Sequence, residues 1–258
     1  MNKILKKFNM DDGKEMKIPM HPTTYLRLDK ESKKVDNTPY KGIVGSLLYL
    51  TMSRPNIMFS VCLCARFQKD PREVHLTEVK RIVRYLIDTP NLGLCFKKEK
   101  DFKFISFCNV DYVGDKIERK RTRGSCYFIG GNLVIWVCKK GTITLSTLEA
   151  EYISISSCYA QLLWIKNQLE EYNIFESNVP IFCNNKAAIS LFKNSSLHYR
   201  AKHVEIKHHF IRDLVQKGTL DLQFVPIEDQ LVDIFTKPLT EDKLILLRNK
   251  LGMEFIRE

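Results

Sequence analysis

The side chains best placed to do chemistry are a few carboxylates at the ends of regular elements. Residues 146–172 read as one long helix. Stepping from Glu151 along a single face gives Ile155, Cys158, Leu162, Ile165 and Leu169, an apolar seam with one acid at its N-terminal end. A carboxylate carried toward a core in this way needs a partner. That partner is either a nearby Arg or Lys, or a metal ion or transferable proton. Glu149, three residues after Ser146, has a simpler explanation in capping-box spacing. Other acids follow a strand ending at Cys108, at Asp111 and Asp115, and one lies in a late helix, Asp233; Asp229 suits a helix N-cap. Acids drawn from a strand end and two helices, without cysteine or histidine at zinc spacing, suit a hard oxygen-binding ion such as Mg²⁺. His203, His208 and His209 lack the paired spacing and third ligand that zinc requires, and read as surface or nucleic-acid contacts.

The elements that must hold these groups are legible from periodicity. Residues 9–39 are polar, contain Pro19, Pro22 and Pro39, and show no period, so they read as an extended connector. Helical patterns follow over 40–52, 55–67 and 73–88. In the last of these Val79, Ile82, Val83 and Leu86 form a packing face, while Lys80, Arg81 and Arg84 project elsewhere. After Pro90 strands are expected at 93–96, 103–108, 125–129 and 133–138, with Gly130-Gly131-Asn132 as a hairpin turn. The long helix comes next, then a strand over 179–183, a helix from Lys186, a helix over 201–217, a strand over 220–225 and a helix after Glu228. From residue 102 the order is β-β-β-α-β-α-α-β-α, a mixed α/β domain. The organisation expected is a mainly helical region over 1–100, an α/β domain over 101–240 and a helical tail over 241–258. No internal repeat or low-complexity tract is visible.

The composition is that of an ordinary globular chain, 44% hydrophobic and 28% charged over 258 residues. Its net charge of +11 is unevenly spread: residues 1–100 carry 20 Lys and Arg against 11 Asp and Glu, and the remainder 21 against 19. Such a basic excess suits a polyanionic partner, although a basic solvated surface is the plainer alternative. Lys116, Arg119, Lys120, Arg121 and Arg123 suggest a basic loop after the first strand of the α/β domain, where a nucleic-acid backbone could pass. The eight cysteines form no C-x-x-C pair and read as buried reduced thiols of an intracellular protein. No apolar leader or membrane-length run is present. A cytoplasmic protein is expected, with the nucleus as the alternative, and neither secretion nor membrane insertion.

Several segments together resemble the copia-type retrotransposon Pol polyprotein. They include Tyr40-Lys41-Gly42-Ile43-Val44-Gly45-Ser46, Ser53-Arg54-Pro55-Asn56-Ile57 and Leu145-Ser146-Thr147-Leu148-Glu149-Ala150-Glu151-Tyr152. Lys202-His203-Val204-Glu205 and Asp229-Gln230-Leu231-Val232-Asp233-Ile234-Phe235-Thr236-Lys237-Pro238-Leu239 continue the match in order along the chain. The resemblance implies that residues 1 to about 95 correspond to the thumb and connection end of a reverse transcriptase, and about 102–240 to a ribonuclease H-like domain with a central mixed five-stranded sheet flanked by helices. It also implies that the family's polymerase aspartates lie upstream of this chain. Other parts of a retroelement Pol would be partners, together with RNA–DNA hybrid or duplex, gripped in part by Lys80, Arg81 and Arg84.

The family's ribonuclease H cleaves the RNA strand of a hybrid with an acidic quartet and two Mg²⁺ ions. Carried over by motif, the quartet falls at position 109, in Phe107-Cys108-Asn109-Val110-Asp111; at Glu151; at position 184, in Phe182-Cys183-Asn184-Asn185; and at Asp233. The first and third of these are Asn109 and Asn184 rather than aspartate. An amide offers a carbonyl oxygen but no charge. For scale, opposite unit charges about 4 Å apart at an effective dielectric near 20 attract by roughly 4 kcal/mol. Metal occupancy and catalysis are therefore expected to be weak or lost. Asp111, which shares the strand parity of Asn109, is the one substitute in reach. The competing readings are a hybrid endonuclease of reduced activity, a non-catalytic nucleic-acid-binding relic, and the product of a decayed genomic copy, against which the intact core patterning argues.

Overall fold

A computed structural model describes residues 13–28, 31–99, 102–111, 120–143, 147–176, 178–193 and 221–256; of residues 120, 142, 143, 148 and 191–193 it describes the backbone alone. In chain order the elements are helices α1 (Asn37–Leu50), α2 (Met58–Ala65) and α3 (Glu73–Asp88), strands β1 (Leu92–Leu94), β2 (Phe104–Asp111), β3 (Lys120–Ile129) and β4 (Asn132–Ile143), and helix α4 (Thr147–Glu171). Strand β5 (Pro180–Cys183), helix α5 (Lys186–Lys193), strand β6 (Asp221–Phe224), the one-turn helix α6 (Asp233–Thr236), helix α7 (Glu241–Lys250) and strand β7 (Met253–Phe255) complete it. The helix expected over 201–217, Asp115, Lys116, Arg119, Ser146 and the three singled-out histidines lie outside the described residues. Two compact units result: Met1–Cys95 together with Lys237–Glu258, and Phe96–Thr236.

In the first unit α1 starts where the Asp36 carboxylate accepts the Thr38 N–H at 2.9 Å, an N-cap that satisfies an orphan donor. The seam of α3 is buried as its period requires, through Val79, Ile82, Val83, Tyr85 and Leu86. Buried Arg54 holds the turn that follows α3 by donating from Nη2 to the Thr89 and Pro90 carbonyl oxygens at 2.6 and 2.9 Å. Asn56 donates to the Tyr85 hydroxyl at 2.6 Å. The Ser-Arg-Pro-Asn-Ile segment is thus a structural clasp.

The polar segment before α1 is no free connector. Residues 13–28 run antiparallel along α3: the Met16 N–H reaches the Arg84 carbonyl oxygen, Lys17 meets Asp88, and the His75 ring bonds the Arg27 carbonyl oxygen. Buried Met20 anchors the strap. The C-terminal stretch, expected as a helical tail, adds strand β7 after α7. It pairs antiparallel with β1, Leu92 opposite Phe255 and Leu94 opposite Met253. Strands this short carry too few residues to show a period.

The second unit holds the mixed five-stranded sheet, in the order β4-β3-β2-β5-β6. β2, β3 and β4 are antiparallel, and β2–β5 and β5–β6 are parallel. This is the mixed α/β class expected from the sequence. Gly130 and Gly131, both at positive φ, make the tight β3–β4 hairpin turn, which only such residues enter without strain. Helix α4 lays Tyr152, Ile155, Cys158, Tyr159, Leu162 and Ile165 onto one sheet face against Phe104, Cys108, Tyr127 and Ile181. The cysteines are unpaired; six are buried, while Cys62 is half-buried and Cys95 exposed, contrary to the expectation of uniform burial. Among the described residues no helix is long and apolar enough to cross a membrane.

Candidate functional site

The candidate carboxylates gather at the end of the sheet where the parallel strands β2 and β5 finish. Phe107 is level with Phe182, so two residues further along, Asn109 on β2 and Asn184 just after β5 lie at the same edge. Glu151 enters one turn into α4, and Asp233 opens α6.

The closest contact is between Asn109 and Asp233. Asn109 is 4% exposed and Asp233 1%, and Asn109 Nδ2 donates to Asp233 Oδ1 at 2.8 Å. The Asn109 amide oxygen is engaged by the Val110 N–H at 2.8 Å. Three features bring Asp233 here. Gln230, fully buried, donates through Nε2 to the Cys108 carbonyl oxygen at 3.1 Å and accepts the Val232 N–H. The Asp233 N–H is in turn held by the Gln230 carbonyl oxygen. Gly124, the cross-strand partner of Asn109, leaves the room: a Cβ there would lie 2.6 Å from Val232 Cγ1 and 3.0 Å from Thr236 Cγ2. A mid-strand glycine marks such a close approach. Gly124→Ala is therefore expected to push α6 off the sheet and cost about 2 kcal/mol as overpacking, read as a lower thermal midpoint.

Glu151 is held differently. It is 8% exposed; burial pushes its carboxyl up to about 7 from the ordinary 4.5, against the opposing pull of a hydrogen bond from Asn185 and the charge of Arg121. Its Oε2 has no hydrogen-bond partner among the described residues. Asn185 is fixed for its role because its Oδ1 accepts the Ala188 N–H at 3.0 Å, the N-cap of α5. Neither Asn185 nor Gln230 was singled out from sequence. Asparagine immediately before a helical pattern is the signal for the first, whereas nothing in the sequence marks the second as a buried strut.

Strand β2 continues to Asp111, half-buried opposite Thr122 and on the Asn109 side by alternation. Of the expected basic loop, Lys120, Arg121 and Arg123 are instead strand residues, because β3 begins at Lys120 and pairs with β2 and β4. Charged side chains on alternate strand positions hid this pairing from the sequence. In the first unit Lys80 is exposed on α3, while Arg81 and Arg84 are half-buried, and the strap over 13–28 runs along the same helix.

No family model matches the chain. It is 38% identical over 253 residues to the retrovirus-related Pol polyprotein from transposon RE1 of Arabidopsis thaliana, and 35% identical over 253 residues to that from transposon RE2, covering 97% of this chain in both cases. The chain belongs to the copia-type retrotransposon Pol family. It spans 17% of the length of these two polyproteins. Among solved structures it is similar to LC11-RNase H1 in complex with RNA/DNA hybrid, with a TM-score of 0.39, 16% identity, and coverage of 52% of this chain and 94% of that one.

The quartet that the copia-type resemblance places at 109, 151, 184 and 233 does not fit a pair of Mg²⁺ ions here. Two positions are uncharged amides. The Asn109 carbonyl oxygen is turned to the Val110 N–H, and its NH₂ is directed at the Asp233 carboxylate, so the amide meets that acid as a donor and offers it no further ligand oxygen. Among the described residues no three carboxylate, histidine or cysteine side chains converge as a metal-binding group.

Proposed function

We propose that this copia-type Pol chain is a ribonuclease H-like module that binds RNA–DNA hybrid and hydrolyses it weakly if at all. The observation that carries this reading is the 2.8 Å bond from the Asn109 amide to Asp233, which satisfies a buried carboxylate without a cation. Arg121 and Arg123 on β3, with Lys116, Arg119 and Lys120, supply positive charge for the hybrid backbone. Lys80, Arg81 and Arg84 add a phosphate contact on α3, with Lys80 the most accessible. Such contacts fix position on a duplex without reading sequence.

The test is hydrolysis of a labelled RNA–DNA hybrid in Mg²⁺ and in Mn²⁺, comparing this chain with the Asn109→Asp, Asn184→Asp double variant. The expected result is retention of the hybrid with little or no cleavage by the native chain, and a clear gain of cleavage in the variant. Equal, robust cleavage by both would refute the reading. Hybrid affinity measured against salt should fall steeply, because each phosphate contact releases condensed counterions; a flat response would remove the gripping role.

A further inference from the structure

A cavity of about 330 Å³ opens between strands β3 and β4 and helix α4, its walls including Arg123, Lys139, Ser154, Ser157 and Gln161. It lies on the sheet face opposite the Asn109–Asp233 contact: Arg123 pairs with Val110 and Lys139, whereas Asn109 pairs with Gly124, and adjacent strand residues point to opposite faces. Arg123 Nη1 donates to the Ser157 hydroxyl at 3.1 Å, and that hydroxyl donates on to the Ile153 carbonyl oxygen at 2.8 Å. The guanidinium is thereby fixed across the cavity wall with donors to spare. The lining contains two cations and no carboxylate, and among the described residues neither cation forms a salt bridge.

One helical turn beyond Gln161, and on the same face as Ser157 and Gln161 by the i, i+4, i+7 spacing, stands Trp164, 56% exposed. A basic recess beside an uncovered indole offers one partner two complementary contacts: an anion in the recess and a flat π-face on the ring. A duplex keeps its bases stacked inside and has no free base to offer, whereas a single strand presents both phosphate and base. We propose that this groove binds single-stranded nucleic acid, with a phosphate at Arg123 and Lys139 and the adjoining base stacked on Trp164. The groove faces away from the Asn109–Asp233 contact. It shares Arg123 with the basic residues assigned to hybrid above, whereas Lys139 and Trp164 are not among them, so single-strand binding here does not require that hybrid be bound or cut at the other face.

The experiment follows the anisotropy of a fluorescein-labelled oligothymidylate and of a labelled RNA–DNA hybrid on the full chain, at several salt concentrations. Trp164→Leu, which keeps apolar area but loses the aromatic face, is expected to weaken oligothymidylate binding by about tenfold. Trp164→Phe keeps a stacking face and is expected to bind far more nearly as the native chain does. The double variant Arg123→Gln, Lys139→Gln should lower the salt slope for the single strand by about 0.7, the value for one phosphate contact. Unchanged oligothymidylate affinity in Trp164→Leu overturns the proposal, as does a native chain that binds no oligothymidylate. An equal loss of hybrid affinity in Trp164→Leu also overturns it, by making the groove a duplex contact. A native chain that holds the single strand through these residues and ignores hybrid supports this groove while removing the hybrid-binding reading. The exposed position of Trp164 makes these variants foldable, and thermal midpoints equal to the native one confirm it.

Discussion

Asn109→Asp lowers the thermal midpoint of this protein in a chelator at neutral pH and makes its stability depend on a divalent cation. The substitution exchanges a donor for a second carboxylate against Asp233, which is 1% exposed and receives the Asn109 amide at 2.8 Å. Loss of a hydrogen bond to a charged group costs about 1.5–3 kcal/mol, and like charges about 4 Å apart at an effective dielectric near 20 repel by roughly 4 kcal/mol. The pair relieves part of this by keeping one proton, as carboxylates sharing a site do. The net penalty at pH 7 is then about 4 kcal/mol, or roughly 8–16 °C in midpoint for a chain of this size. The shared carboxyl has a raised folded-state pKa, so the variant approaches native stability near pH 4 and loses it as pH rises through that value. An ion that binds only the folded state restores the midpoint in proportion to the logarithm of its concentration, and the native chain shows no such rise. A variant as stable as the native chain in chelator at pH 7 would show that Asn109 does not act as the resident partner of Asp233.

The parts of this fold that could be read from sequence are those with a sustained period. The seam of α3 from Val79 to Leu86 and that of α4 from Ile155 to Ile165 are buried as their spacing demands, and the Gly130-Gly131 turn closes its hairpin. The start of β3 was missed because Lys120-Arg121-Thr122-Arg123 has no apolar alternation; its pairing with β2 and β4 is a tertiary effect that overrides a polar local pattern. The strap over 13–28 was missed for a similar reason: its hold on α3 is made by backbone carbonyls and one buried methionine, which leave no period. At the candidate site, motif comparison could place amides at 109 and 184. It could not show that the Asn109 amide would be turned toward Asp233, since that depends on α6 reaching the sheet over Gly124.

The second large effect belongs to Glu151. Its carboxyl titrates near 7 in the folded chain against an ordinary 4.5, because burial outweighs the hydrogen bond from Asn185 and the field of Arg121. Below about pH 4.5 the group is protonated in both folded and unfolded chains and exacts nothing. Between 4.5 and 7 the folded chain holds a proton that the unfolded chain has released, so stability falls as pH rises, and above 7 a penalty of about 3 kcal/mol is fully present. Glu151→Gln removes the titration and leaves an oxygen for Asn185 to reach. It is expected to raise stability at pH 8 by about 2–3 kcal/mol and to leave stability at pH 4 nearly unchanged, as thermal or urea unfolding at both pH values would show. The two variants bear on one question from opposite directions. Glu151 carries a charge for which the folded chain has no adequate partner, whereas Asp233 already has its own in Asn109. A native chain whose unfolding midpoint is flat from pH 4 to 8, or a Glu151→Gln variant no more stable than it at pH 8, would show that Glu151 is not held above its ordinary range; a pH dependence that returns in chelator would trace this to a bound cation, and the donor set would then hold one.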